Sequence, residues 1–121
     1  MSTLADNLSA ISARIASAAQ AAGREPASVQ LLAVSKTKPA AAIRELYAAG
    51  VCDFGENYLQ EALTKQQALG DLPLIWHFIG PIQSNKTKAI AEHFDWVHSV
   101  DRLKIAQRLS EQRPAGLAPL N

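Results

Sequence analysis

Cysteine is almost missing from this chain: Cys52 stands alone among 121 residues. One thiol excludes an intramolecular disulfide framework and every CxxC-type metal or redox motif, and it predicts a reducing, cytoplasmic compartment. An excess of one charge is missing too. Lysine and arginine total 12 against 11 acids, and the basic residues are scattered, so no stripe selects nucleic acid or anionic lipid. No apolar run approaches the ~20 residues needed to span a bilayer. The opening MSTLADNLSA lacks the basic start and apolar core of a signal peptide. His93, His98 and Cys52 show no metal-ligand spacing, and no P-loop, nucleophile elbow or H-E-x-x-H occurs. The expectation is a soluble intracellular protein with neither membrane nor nucleic acid as partner and no metal site.

What is present is material for a core. Apolar residues make up 48 % and charged residues 19 %, which separates the chain from disordered tails. Leu4, Leu8, Ile11, Ile15 and Ala18 or Ala19 recur at helical steps and predict a leading helix over about 3–22. Ser2 or Thr3 caps its start and Gly23 ends it. A first strand follows from Val29 to about Ser35.

From there a unit repeats. Pro39 suits the first turn of a helix bearing Ile43, Leu46 and Tyr47, which Gly50 stops. VCDFG is a short strand, followed by a helix with Leu59, Ala62 and Leu63. LIWHFIG is the third strand, and a helix from about Ser84 carries Ala89, Ile90 and Phe94. DWVHSV is the fourth, and Asp101 caps a last helix with Leu103, Ile105, Ala106 and Leu109. Strand centres near Val34, Phe54, His77 and Val97 lie about 20 to 23 residues apart, a spacing that requires parallel strands and right-handed crossovers. An open doubly wound sheet and half of an eight-stranded barrel both fit. The lack of G-x-G-x-x-G after the first strand disfavours a dinucleotide fold. A complete barrel takes about 250 residues, and this sequence ends in RPAGLAPLN, a connection that precedes a strand, so it reads as cut off.

Chemistry gathers at the C-terminal ends of parallel strands. The four ends here are SKTKP, FGENY, HFIGPIQSNK and HSVD. Lys36 ends a buried strand, where lost solvent and the charge of Lys38 both favour the neutral amine that attacks a carbonyl. Extended geometry before Pro39 predicts both lysines on one side. Two solvated loop lysines are the competing reading. Asn57 either caps the next helix or meets a planar ligand with its amide, and Glu56 is solvated or paired. Gly80-Pro81 forms a turn before Ser84-Asn85-Lys86, a helix start whose free N–H groups favour an anion. His77 reads as a hydrogen-bonded core histidine, and Trp76 and Trp96 as packing residues between helices and sheet.

LLAVSKTKP, FGENYLQE, WHFIGPIQSNK and HFDWVHSVDRLKIAQRL, in this order, closely resemble the pyridoxal phosphate homeostasis proteins, relatives of the alanine racemase N-terminal barrel. The resemblance covers essentially all 121 residues. It implies an α/β fold: the N-terminal half of a (β/α)8 TIM-type barrel, with about four parallel strands and their helices after an N-terminal helix. Residues 1–121 then form a single partial barrel domain, with strand-helix units over about 29–112. It further implies that Lys36 forms the internal aldimine with pyridoxal 5'-phosphate (PLP), that Asn57 lies near the cofactor ring, and that His77 and Gly80 lie in the pocket wall. Such proteins bind PLP and related vitamers and keep their level in balance, influence amino-acid and keto-acid pools, have no firm catalytic reaction, and are monomeric. Two competing functions are a PLP-dependent racemase, which needs an opposing base that neither Tyr47 nor Tyr58 obviously supplies, and a scaffold that no longer binds PLP. The family's phosphate-holding loops and an arginine near the ring lie in the half not present here. Open edges at the first and fourth strands predict self-association of this chain.

Overall fold

The computed structural model describes residues 3–121. Its leading helix, α1, spans Leu4–Ala21. The Asp6 N–H donates to Thr3 Oγ1 at 3.0 Å and the Thr3 N–H to Asp6 Oδ2 at 3.2 Å. This reciprocal capping box satisfies two helix-end donors at once. Ser2, the other cap expected, lies outside the described residues. Gly23, at φ +73°, turns the chain out of the helix.

Four strands follow, each leading into a helix: β1 (Ala33–Val34), α2 (Ala40–Ala48), β2 (Asp53–Glu56), α3 (Leu59–Ala68), β3 (Ile75–Phe78), α4 (Thr87–His93), β4 (Trp96–Val97) and α5 (Leu103–Gln112). The sheet order is β1-β2-β3-β4 and every pairing is parallel. Sequential order without a reversal is barrel topology, because a doubly wound sheet changes direction at its switch point. The first strand is shorter than its apolar run predicts. Pro26–Ser28 forms a 3-10 turn, and only Ala33 and Val34 find partners, in Phe54 and Gly55.

Register divides the side chains between two faces. Ala33, Phe54, Trp76, Phe78 and Val97 share the face covered by helices. There they meet Ile43, Ala62, Ile90, Phe94, Ile105 and Leu109 in one core. Phe78 and Phe94 pack edge to face at 5.3 Å between ring centroids, a favoured aromatic geometry. Burying such side chains stabilises by about 1.5–3 kcal/mol each. Val34, Gly55, Ile75, His77 and Trp96 point to the opposite, inner face, where Val34 and Trp96 are exposed.

Three expectations need correction. Trp96 is not a helix-sheet packing residue: Val97 takes that face, and Trp96 stacks on His77 at 5.5 Å. Asp101 does not cap α5. The cap position is Arg102, without a side-chain cap bond, and the Asp101 carboxylate lies 3.8 Å from Arg102 Nε. The outer edge of β4 is not bare, since the Val97 N–H donates to the Asn121 carbonyl at 2.8 Å and the Asn121 N–H to that of Asp95 at 3.1 Å. Among the described residues, no helix is long and apolar enough to cross a membrane.

Candidate functional site

Lys36 follows β1 at its C-terminal end. It stands in the turn that leaves the strand, two residues past the last paired position, Val34. Its side chain is exposed rather than withdrawn from solvent as the strand-end position predicts, because Lys36 lies on a turn beyond the paired strand. Lys38 does not share its setting. Thr37, at φ +65°, and the Lys38 N–H to Ser35 carbonyl bond at 3.0 Å form a tight turn. That turn places Lys38 in a groove between α2 and α3 with Thr37, Pro39, Glu61, Thr64 and Lys65. A branched residue at positive φ is an uncommon, strained choice.

The main chain around Lys36 is held from below by charged groups: Glu56, which is paired rather than solvated, and Glu61 and Lys65, which the sequence did not single out. Glu56, fully buried, accepts from the Ser35 hydroxyl. Lys65 Nζ lies 3.0 Å from Glu56 Oε2, 2.7 Å from Glu61 Oε1 and 2.7 Å from the Ser35 carbonyl oxygen. Its three N–H donors therefore all have acceptors. Glu61 Oε1 also accepts from the Thr37 N–H at 2.6 Å. The Lys65 hydrogen bond, helped by that N–H, holds the Glu61 carboxyl below its usual range against the opposing effect of partial burial. The Glu61/Lys65 spacing of i, i+4 is the sequence signal that could have exposed this network.

Asn57, directly after β2, is half-buried and does not cap α3. The cap position is Tyr58, with no side-chain cap bond, and Asn57 Oδ1 is buried without a partner. Leaving a buried carbonyl unpaired costs about 1–3 kcal/mol. Gly80 is buried against it. A Cβ on Gly80 would stand 2.6 Å from Asn57 Cβ and 3.2 Å from Asn57 Cα, so glycine is what lets these two loops touch.

His77 is buried and engaged at both nitrogens: Nε2 lies 2.8 Å from Asp53 Oδ2 and Nδ1 lies 3.0 Å from His98 Nε2. An ionised carboxylate only accepts, so His77 Nε2 donates to Asp53, and in the neutral ring Nδ1 accepts from His98. This is the hydrogen-bonded histidine the sequence predicts, and its ring face against Trp96 is what it offers to the inner side. Asp53 and His98 were not singled out as its partners, although adjacent strands of matching parity carry them. The helix after Gly80-Pro81 starts as a 3-10 turn, Ser84–Lys86, before the seven residues of α4. The Ser84 hydroxyl accepts no cap bond there; its carbonyl accepts from Thr87 Oγ1 and Arg108 Nε, both at 3.0 Å. Among the described residues, no cluster of histidine, cysteine and carboxylates could hold a metal.

Lys36, Asn57, His77 and Gly80 thus all fall at the C-terminal half of the sheet, an exposed amine and an unpaired amide oxygen among them. For a planar aldehyde cofactor, the amine and the free amide are fitting donors and acceptors. His77 has no free nitrogen to add.

Comparison with known proteins gives a consistent picture. Residues 7–121 match the family model "Alanine racemase, N-terminal domain". The chain is 78 % identical over its whole length to the pyridoxal phosphate homeostasis protein of Pseudomonas aeruginosa and 56 % identical to that of Escherichia coli K12, spanning 53 % of each. PipY of Synechococcus elongatus, solved with PLP bound, superposes with a TM-score of 0.77 at 50 % identity over 91 % of this chain and 48 % of its own. A protein from Bifidobacterium adolescentis superposes with a TM-score of 0.79 at 32 % identity. The chain spans about half the length of these relatives, and its fold is the N-terminal half of a (β/α)8 barrel. It belongs to the alanine racemase N-terminal domain family.

Proposed function

We propose that this chain, one partial-barrel domain of a cytoplasmic protein, binds PLP and takes part in PLP homeostasis. Lys36 is its covalent anchor. The amine of Lys36 adds to the cofactor's aldehyde carbon to form a Schiff base, one water leaves, and hydrolysis reverses the step. Asn57 Oδ1 faces the ring region as an acceptor, Gly80 keeps Asn57 in place, and the His77 ring forms part of the wall. The observation that carries this reading is Lys36 exposed in the turn after β1, in a chain 50 % identical to a protein solved with PLP bound.

A binder that must also give its cargo back needs this and no more. Attachment through one amine shields the aldehyde from stray amines, and release requires only water or another amine. No second base facing Lys36 is needed, so no catalytic reaction is assigned. Among the described residues β1 has a strand neighbour on one side only, and an open strand edge invites another strand. The reading therefore includes self-association of the isolated chain through that edge.

The test is a titration with PLP followed by the cofactor's visible absorption. Saturable appearance of the Schiff-base band, abolished in Lys36→Ala, is the expected result. An identical titration in Lys36→Ala overturns the assignment of Lys36. Light scattering in the same samples reads self-association, which a single monomeric mass would contradict.

A further inference from the structure

We infer that Glu61 and Lys65, on α3, are positioning residues for Lys36: they clamp the main chain on both sides of it and so fix where its amine stands. This rests on the reading of Lys36 as the covalent anchor. Neither side chain needs to touch the cofactor.

Lys36 lies between Ser35 and Thr37, and each of those residues is tied down separately. The Ser35 N–H donates to the Gly55 carbonyl at 2.9 Å, its hydroxyl donates to Glu56, and its carbonyl accepts from Lys65 Nζ at 2.7 Å. The Thr37 N–H donates to Glu61 Oε1 at 2.6 Å. Glu61 and Lys65 share that same oxygen, so the two grips form one unit.

Thr37 supplies the second observation. A β-branched residue at φ +65° holds a conformation that the chain leaves unless its surroundings enforce it. Glu61 holds it from a helix, in addition to the loop's own bonds from the Lys38 N–H to the Ser35 carbonyl and from the Thr37 hydroxyl to the Lys36 carbonyl. Rigid support of this kind is what lets a long, flexible lysine present its amine at one place, and misplacing a reacting group by ~1 Å costs on the order of a hundredfold in rate. Lys38, which follows the turn, faces the groove between α2 and α3 and serves as an internal reference.

The experiment separates reach from charge. Glu61→Gln keeps the length of the side chain and an acceptor oxygen but loses the charge. Glu61→Asp keeps the charge and withdraws the oxygen by one methylene. Each variant and the unsubstituted chain is incubated with PLP, reduced with borohydride, and mapped for adducts at Lys36 and Lys38. Exchange of the Thr37 amide is followed in parallel. The ratio of the two adducts decides, because a general loss of fold lowers both alike. The expected result is a preference for Lys36 in the unsubstituted chain, kept in Glu61→Gln with slow Thr37 exchange. In Glu61→Asp the ratio falls about tenfold or more and Thr37 exchange is fast. An unchanged ratio in Glu61→Asp with fast Thr37 exchange overturns the clamp and leaves Lys36 as anchor. Loss in Glu61→Gln but not in Glu61→Asp also overturns it, in favour of a charge effect. No preference for Lys36 in the unsubstituted chain removes the anchor itself, and the clamp with it.

Discussion

Lys65 Nζ and Glu56 Oε2 lie 3.0 Å apart with side-chain exposures of 7 % and 0 %, a charge pair carried almost wholly inside the protein. Bringing two charges out of water is costly, and their attraction together with the bonds to Ser35 and Glu61 offsets that cost. Removing one partner leaves the other stranded. Lys65→Met is expected to destabilise by about 3–5 kcal/mol, and Lys65→Met with Glu56→Leu by much less. Urea unfolding of both variants checks this, with equal losses as the contradicting result.

The contact between Gly80 and Asn57 gives a second expectation. A methyl group on Gly80 has no room against the Asn57 Cβ at 2.6 Å. Gly80→Ala should cost about 1–3 kcal/mol, the usual range for overpacking. Shortening the opposing residue in Gly80→Ala/Asn57→Gly should recover part of that loss. Thermal melts of the single and double variants decide it.

Acid should loosen the turn at Thr37 in a defined direction. The Glu61 carboxyl sits below its ordinary value of 4.5, chiefly through its hydrogen bond from Lys65. A depressed carboxyl favours the folded arrangement at pH above its unfolded value and loses that contribution as pH falls through the folded one. The Thr37 amide should therefore stay bonded to an ionised carboxylate from neutral pH down through the ordinary glutamate range, and in stronger acid that bond should weaken to one with a neutral acceptor, as in Glu61→Gln. Its chemical shift against pH measures this, and Glu61→Gln should remove the step.

Two glycines with open space around them should behave differently. Gly50 and Gly116 have nothing within 4 Å of a built Cβ, but Gly50 holds φ +108°. Gly50→Ala is expected to destabilise by about 1 kcal/mol or more, because an L side chain resists that backbone region. Gly116→Ala should be nearly neutral. Equal melting temperatures for the two would contradict the conformational argument.

Much of this was legible in the sequence because period and punctuation carry element type. The alternation of strand and helix, Pro39 ahead of α2 and Gly23 after α1 all have direct local causes. Strand phase did not follow so easily. In DWVHSV either Trp96 or Val97 could face the helices, and only the pairing of Phe78 with Val97 settles which. Partners from distant segments were hidden for the same reason. Asp53 and His77 are 24 residues apart and meet through the sheet, and Glu61 reaches Thr37 across the same separation. Lys36 stood out because a lysine ending an apolar strand conflicts with its local context, and the exposure of its side chain depends on where the paired strand ends.

The most direct test of the account is to locate the covalent adduct. The chain is incubated with PLP, reduced with borohydride, digested and mapped by peptide mass spectrometry, with Lys36→Ala in parallel. A single adduct at Lys36 that disappears in the substituted chain is the predicted result. Adducts spread over several lysines and unchanged by Lys36→Ala would contradict the account and leave these strands as a scaffold without the site.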